Sequence, residues 1–236
     1  MPRTAIWTSI AEALTADIGA GRYGPGDKLP TEAELSVRFG VNRHTVRRAL
    51  AALADDGLVH SRRGSGVFVT HSPTDYPIGQ RVRFHRSLQA AGRIPGRDIQ
   101  LLETRMADAR EARALDLSEG APVHVCEGIS LADDHPIALF RSVFPAEWLP
   151  ALPGALRRTG SVTQALAACG LPDYVRVSTR ISARPATAAQ AHKLRMPEGA
   201  PILRTVGLNA CPEGRPVEFG TAWFAADRVT LTVAGP

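Results

Sequence analysis

The sequence predicts an α+β chain in two parts: a small helical unit closed by a β-hairpin, and a larger antiparallel sheet carrying helices. Three observations predict it. Apolar residues recur at helical spacing from Ile6 to Leu53. The segment THSPTDYPIG at 70–79, rich in Pro, Ser, Thr and Gly, then breaks the pattern and reads as a linker. Beyond it, a block that reads helix, turn, strand, hairpin, strand occurs twice. The expected boundaries are 1–70 for the first unit, 71–79 for the linker and 80–236 for the second unit.

In the first unit, Ile6, Ile10, Leu14 and Ile18 recur every four residues and line one helical face. Gly19, Gly21, Gly24, Pro25 and Gly26 end that helix. Thr31-Glu32-Ala33-Glu34 has the form of a capping box. Leu35 and Phe39 follow, and Gly40 suits a C-terminal cap, which gives a short helix at 32–39. Asn42 is a good N-cap for a third helix at 43–56, stopped by Gly57. Its apolar stripe is Val46, Ala49, Leu50 and Leu53. Two helices about a tight turn at Gly40-Val41 make a helix-turn-helix. Leu58-Val59-His60-Ser61 and Val67-Phe68-Val69 then read as two short strands.

Composition bounds the rest. With 44% hydrophobic and 22% charged residues in 236, the chain can bury a core, which excludes wholesale disorder. No run of about 18 apolar residues predicts a membrane-spanning helix. Glu12 and Asp17 interrupt the first apolar stretch, so a secretory signal is not expected and the cytoplasm is. Cys126, Cys169 and Cys211 have neither disulfide nor metal spacing and read as buried free thiols. No cofactor is expected.

The formal charge of +5 permits a polyanionic partner without showing one. The placement of the charge says more. Residues 41–64 carry Arg43, Arg47, Arg48, Arg62 and Arg63 against only Asp55 and Asp56. Arg43, His44, Arg47 and Arg48 lie opposite the apolar stripe, in the half of a recognition helix that reaches base edges in the major groove. Arginine donates bidentately to guanine O6 and N7, and Thr45 suits a phosphate or a thymine methyl. A solvated arginine-rich face is the alternative, and alone it would be preferred. The hairpin that follows reverses that preference. Its tip, Arg62-Arg63-Gly64-Ser65-Gly66, is a basic wing suited to a minor groove or to phosphates.

These residues resemble a known family. Leu29 to Leu35, Phe39 to Leu50, Asp56-Gly57-Leu58 and Arg63 to Val69 look like the winged helix-turn-helix of GntR-type bacterial repressors. The resemblance covers most of residues 6–70. It implies operator contacts from Arg43, Thr45, Arg47 and the wing at Arg63 and Gly64. Many relatives carry a basic residue where this chain has Ala33, so that contact is expected to be missing.

In the second unit, residues 107–146 and 186–226 form a duplication. Glu119-Gly120-Ala121-Pro122 recurs as Glu198-Gly199-Ala200-Pro201. Pro136-Ile137 corresponds to Pro216-Val217, and Val143-Phe144-Pro145-Ala146 to Trp223-Phe224-Ala225-Ala226. Two such copies can give paired hairpins in one antiparallel sheet with helices on one face and a pseudo-two-fold character. Between them lie a helix near 160–169 and an alternating strand from Val175 to Ile181.

At the start of this unit, Arg81, Arg83, His85 and Arg86 crowd the first turn of a helix that reaches Ala91. Arginine there suits phosphate or phosphonate oxygens, and an interdomain contact, a dimer contact or a solvated turn is an equal alternative. His85, His124, His135 and His192 are scattered and read as surface or hydrogen-bonded histidines. No catalytic motif is found. Asp133-Asp134 marks a hairpin turn. Glu218 lies inside a strand-like run and needs a partner, either a ligand's hydroxyl or amine or an ion pair.

The region 76–236 is similar to the UTRA effector domain of the HutC subfamily of GntR regulators. The similarity rests on Phe84, Gly92 and Pro95, on Ala132 to Ala138, and on Gly214 to Glu218. The resemblance implies a chorismate-lyase-like fold used as a sensor, with a ligand site from the loop at 81–85 (Phe84 included), the central strands with Ser130, the helix start near Ser161, and Glu218. Sugar-phosphate relatives carry an Arg-x-Arg pair where this chain has Gly128 and Ser130, which argues against that ligand. Arg81-x-Arg83-Phe84-His85, with Phe224 to Val229, looks more like PhnF-type regulators of phosphonate utilisation.

The expected function is a homodimeric, cytoplasmic repressor that binds double-stranded operator DNA and responds to a small phosphonate- or phosphate-type anion. A regulator of a different metabolite is one alternative. A lyase-like enzyme fused to a DNA-binding module is another, and an architectural DNA-binding protein a third.

Overall fold

A computed structural model describes residues 5–62, 64–70, 73–79 and 84–233. The chain divides into two compact units, Met1–Ser72 and Pro73–Pro236.

The first unit holds α1 (Ile6–Gly19), α2 (Glu32–Phe39), α3 (Arg43–Asp55), β1 (Val59–Arg62) and β2 (Gly66–Val69). Local chemistry sets each boundary. Thr31 accepts from the Glu34 N–H while the Glu34 carboxylate accepts from the Thr31 N–H at 2.7 Å, a complete capping box. Asn42 Oδ1 accepts from the Thr45 N–H at 2.9 Å and starts α3. Gly40, at φ 63°, takes the left-handed cap that turns α2 into α3. Ile10, Leu14, Leu35, Val46, Leu50, Leu53, Val59 and Val69 form one core. The expected row on α1 buries only in its middle. Ile6 is 64% exposed because the first turn runs past the core. Buried Asp17 was not foreseen, and it is paired with Arg22 and Arg38. The hairpin is antiparallel, with His60 opposite Phe68.

The second unit runs β3 (Thr74–Pro77), α4 (Phe84–Ala90), β4 (Pro95–Met106), α5 (Ala109–Leu115), β5 (Pro122–Ala132), β6 (His135–Pro145), α6 (Leu152–Thr159), α7 (Val162–Ala168), β7 (Val175–Pro185), α8 (Ala188–Leu194), β8 (Pro201–Ala210), β9 (Pro216–Ala225) and β10 (Val229–Thr232). Six strands form one antiparallel sheet, ordered β4-β5-β6-β9-β8-β7. Each hairpin sits beside its counterpart through the central β6–β9 pair. The duplication extends to cap geometry. Asp108 boxes with Glu111 on α5, as Thr187 does with Gln190 on α8. The left-handed C-caps Asp116 and Arg195 occupy matching places in the two copies, three positions before Glu119 and Glu198.

Three expectations change. The repeat is longer than its conspicuous sequence match, because β4 and β7 precede the two helices and complete a β-α-β-β unit. β4 is an edge strand with little burial and a weak hydrophobic signal, whereas β7, the other edge, is the expected alternating strand from Val175 to Ile181 extended to Pro185. Helices cover both faces of the sheet instead of one. Leu115 of α5 packs on Val123, Val125 and Val143, and α8 packs with Ile129 and Leu139. The alternate residues, Cys126, Phe140 and Phe144, meet α6 and α7 on the other face. Finally, the segment read as linker contains β3, which pairs in parallel with β10 because Thr74 and Tyr76 alternate inward. Cys126 and Cys211 are buried free thiols, whereas Cys169 is only half-buried. No helix among the described residues is long and apolar enough to cross a membrane.

Buried polar groups lock this unit. Arg228, 5% exposed, donates to the Pro136 and Leu194 carbonyls at 2.6 Å each and to that of Arg195 at 2.9 Å. His124 bridges Thr104 Oγ1 at 2.8 Å and the Leu149 carbonyl at 3.2 Å. Burial pushes the His124 pKa below its ordinary value of 6.5, only partly offset by the Leu149 hydrogen bond. The unfolded chain therefore binds more protons as the pH drops, and stability falls below about pH 6.5. Urea midpoints measured from pH 7 to 5 should fall, and fall less steeply in His124→Asn. Equal slopes in the two proteins would contradict this assignment.

Candidate functional site

The first candidate site lies on α3 and the hairpin. The apolar stripe of α3 seats it on the core and leaves Arg43, His44 and Arg47 exposed on the other side. Thr45 Oγ1 is held by the N-cap Asn42 at 3.0 Å. Arg47 forks onto Glu32 of α2, Nε to Oε1 at 3.1 Å and Nη2 to Oε2 at 2.8 Å. The Arg47 hydrogen bond holds the Glu32 carboxyl below its ordinary range. An exposed pair of this kind stabilises little, so exchanging Glu32 for a guanine edge costs little. Arg48 leaves the row, its guanidinium lying 4.8 Å from the Trp7 ring centre on α1. Gly64 sits in the wing at φ 75°. Arg63 lies outside the described residues, and Arg62 is placed by its backbone opposite Gly66. Sequence reasoning missed Lys28, which bridges to Phe68 and lays its side chain across Gly66. Its only signal was a charge in a glycine-rich connection.

For Arg47→Ala, operator affinity is expected to fall roughly tenfold or more and one base preference to relax. Competition binding with single-base operator variants measures it. An unchanged affinity and unchanged preference would remove Arg47 from the interface.

The second candidate site is a pair of adjoining cavities in the second unit, of about 90 and 70 Å³. Tyr76, Arg97, Arg176 and Glu218 line both. Phe84, His85, Ser161, Thr163, Tyr174 and Asn209 add to the smaller lobe, and Phe140, Ser142, Thr179 and Thr205 to the larger. Arg97 comes from edge strand β4 and Arg176 from the opposite edge, β7. The Arg97 guanidinium lies 4.3 Å from the Phe140 ring centre and 5.2 Å from that of Phe84. The rings take up its faces and leave its in-plane N–H groups. Its Nε and that of Arg176 are buried without a hydrogen-bond partner. Among the described residues neither arginine forms an ion pair, and Arg176 has only a 3.4 Å contact to Thr179 Oγ1. Half-buried arginines whose buried Nε–H donors are unspent favour an anion.

Glu218 provides the one described carboxylate of the two lobes. It accepts from Ser142 Oγ at 2.5 Å and Asn209 Nδ2 at 2.6 Å. Burial pushes the Tyr76 hydroxyl up to about 12. Burial and the Arg97 charge push His85 below its usual range. Both are neutral at pH 7.

Of the expected ligand residues, the fold brings Phe84, His85, Ser161 and Glu218 together. Ser161 is buried and caps α7, accepting from the Gln164 N–H at 3.4 Å. Ser130 is not brought to either lobe. It is buried on β5 opposite Arg97, at the end of the sheet covered by Phe84 and Leu88 of α4 with Ala132 and Ala138. Arg81 and Arg83 lie outside the described residues. His85 and Arg86 line a more open recess of about 510 Å³ with Ser161 and Asp173. Arg97 and Arg176 were missed. Gly128 lacks room for a side chain, since a Cβ there would meet the Asp98 carbonyl oxygen at 2.1 Å. The central-strand arginine of sugar-phosphate relatives is thus sterically excluded here, and the cavity's arginines come from the edges. Among the described residues no group of His, Cys, Asp and Glu is arranged to hold a metal ion.

Residues 7–69 match the bacterial regulatory proteins of the gntR family, and residues 90–230 match the UTRA domain. The chain is 40% identical over 230 residues to an HTH-type transcriptional regulator of Rhizobium meliloti, covering 97% of this chain and 94% of that one. It is 34% identical over 213 residues to the "probable transcriptional regulator PhnF" of Escherichia coli, covering 89% and 88%. The crystal structure of PhnF from Mycobacterium smegmatis superposes with a TM-score of 0.65 at 24% identity, over 98% of this chain and 99% of that one, which is a likeness of fold. The N-terminal helix-turn-helix, the antiparallel effector sheet and these matches agree: the chain belongs to the gntR family of bacterial regulatory proteins, as a transcriptional regulator of the HutC type with a C-terminal UTRA domain.

Proposed function

We propose that this regulator is a repressor released by a small phosphonate- or phosphate-type anion bound between Arg97 and Arg176. One observation supports the ligand class: two half-buried arginines, each with a buried Nε lacking a hydrogen-bond partner and without a described acidic partner, line the same pair of cavities. The likeness to PhnF of Escherichia coli, at 34% identity, supports the phosphonate side of this reading. The operator is contacted by Arg43, His44, Thr45, Arg47 and the wing, including Arg62, Arg63 and Gly64. Arg48 joins them if it leaves Trp7. The DNA-binding unit is Met1–Ser72 and the effector unit Pro73–Pro236, which begins with β3.

The working form is a cytoplasmic homodimer on a pseudo-palindromic operator, with half-sites about one helical turn apart. The long edge strands support pairing through the sheet unit. Leu101 and Met106 on β4, and Val177 and Ile181 on β7, are exposed apolar residues on strands that need cover. Occupancy must favour one spacing of the two DNA-binding units over another for release to occur. Tyr76 of β3, the first strand of the second unit, lines both lobes and is the route by which a ligand would bias that spacing.

Calorimetric titration with methylphosphonate and with phosphate tests the ligand class. Saturable binding of one anion per chain, displaced by the other, is expected. No heat with either would overturn the anion reading and leave the family assignment standing.

A further inference from the structure

The pocket carries its own signature of duplication. Arg97 and Arg176 are separated by the same offset as Glu119 and Glu198, the one that relates the two copies. Their ladder partners, Ser130 and Asn209, are related by that offset too. The two arginines are therefore one residue used twice, on opposite edges of a pseudo-two-fold sheet. Gly207, the counterpart of Gly128, lacks a Cβ where the Arg176 guanidinium crosses β8; a Cβ there would meet Nη1 at 1.9 Å.

Among the described residues that line the two lobes, the symmetry is broken at one charged position. After the hairpins the offset grows by one, as Pro136 against Pro216 shows, so Glu218 corresponds to Ala138. The partners that hold Glu218 are likewise unmatched. Ser142 corresponds to Ala222, and Asn209 to Ser130. The second half has built a seat for a carboxylate that the first half lacks. Each Glu218 oxygen accepts one hydrogen bond, which leaves lone pairs open on both. No cation among the described residues pairs with Glu218, although Arg97 and Arg176 line the same lobes.

Charge counting gives the ligand. Among the described lining residues, two guanidinium groups and one carboxylate leave one net positive charge. A dianionic head opposite the arginines would overshoot by one unless the ligand also carries a positive group. Resting on the anion reading above, we propose that the effector is a small zwitterion, a phosphonate or phosphate head joined by a short chain to an ammonium group, with the head on Arg97 and Arg176 and the ammonium on Glu218. The ammonium supplies up to three donors to a carboxylate that has open acceptor sites. A plain alkylphosphonate would leave the Glu218 charge without a cationic partner in the filled cavity.

Calorimetry on the full chain at fixed pH and salt separates the readings. The probes are 2-aminoethylphosphonate, ethylphosphonate and phosphoethanolamine. In the native protein, 2-aminoethylphosphonate should bind at least tenfold more tightly than ethylphosphonate. In Glu218→Gln the order should reverse, because removing the carboxylate weakens the zwitterion and relieves repulsion of the simple anion. A crossed change within one variant cannot come from misfolding. Phosphoethanolamine identifies the source: tighter binding than 2-aminoethylphosphonate makes the head a phosphate ester, weaker binding makes it a phosphonate, and either supports the zwitterion. Ethylphosphonate binding as tightly as 2-aminoethylphosphonate to the native protein would overturn the zwitterion and keep the anion reading. Binding of none of these, nor of methylphosphonate, would overturn both.

Discussion

Replacing Glu111 with alanine is expected to cost about 2–3 kcal/mol of the stability of the effector unit. The carboxylate is 2% exposed and lies between β4, α5 and β6. Arg105 forks onto it with two bonds of 2.7 Å, Arg141 adds a third at 2.9 Å, and the Asp108 N–H a fourth at 3.0 Å. Burial alone would raise the Glu111 pKa. The Arg105 and Asp108 hydrogen bonds outweigh it and hold the carboxyl below its ordinary range. Its stabilisation is thus present above the unfolded carboxyl pKa, near 4.3, and is lost as pH falls through the lower folded value. Alanine leaves two arginines without their shared acid and removes half of a capping box. Urea unfolding at pH 7 measures the loss, and a change under 1 kcal/mol would contradict this role.

The second large effect is functional. In Arg97→Ala combined with Arg176→Ala, affinity for methylphosphonate should fall about 100-fold or more. Each charge-assisted hydrogen bond in a buried site contributes about 1.5–3 kcal/mol, and two arginines share the head group. Operator affinity should stay within a factor of about two, since both residues belong to the effector unit. Arg97→Lys should rescue poorly, because lysine offers neither the fork nor the planar stacking on Phe84 and Phe140. Undiminished anion binding by the folded double variant would place the anion elsewhere, with the basic segment at 81–86 as the next site to examine.

The DNA-binding unit was legible because its signals are local. Thr31 with Glu34, Asn42 and Gly40 each mark a helix end within a single turn of chain. The stripe from Val46 to Leu53 then fixes which face of α3 turns outward. The duplicated Glu-Gly-Ala-Pro turns revealed the sheet unit for the same reason. What stayed hidden depends on distant partners. β4 is an edge strand whose mixed exposure gives no clean alternation, whereas β7 was legible as an alternating strand from Val175 to Ile181 but was not joined to the repeat; the two strands carry the cavity arginines. Arg97 and Arg176 sit in ordinary polar sequence, and only closure of the six-stranded order brings them to one cavity. Their spacing matches that of the two Glu-Gly-Ala-Pro turns and would have singled them out had the repeat been followed upstream of Ala107. β3 was read as linker because its Pro and Thr outweighed Tyr76, the one apolar residue of the two it turns inward. Ser130 was expected at the ligand through its neighbours on the central strand, yet α4 covers that half of the sheet.

The most direct test is fluorescence anisotropy of the full-length protein on DNA from upstream of its own gene, at fixed ionic strength, titrated with the tightest-binding anion found by calorimetry. Fixed salt is essential because phosphate contacts make every operator affinity salt-dependent. Tight, sequence-specific binding that weakens at least tenfold as the anion saturates, and that stays tight in the Arg97→Ala, Arg176→Ala protein, is the predicted result. Specific binding that the saturating anion leaves unchanged in the native protein would contradict it.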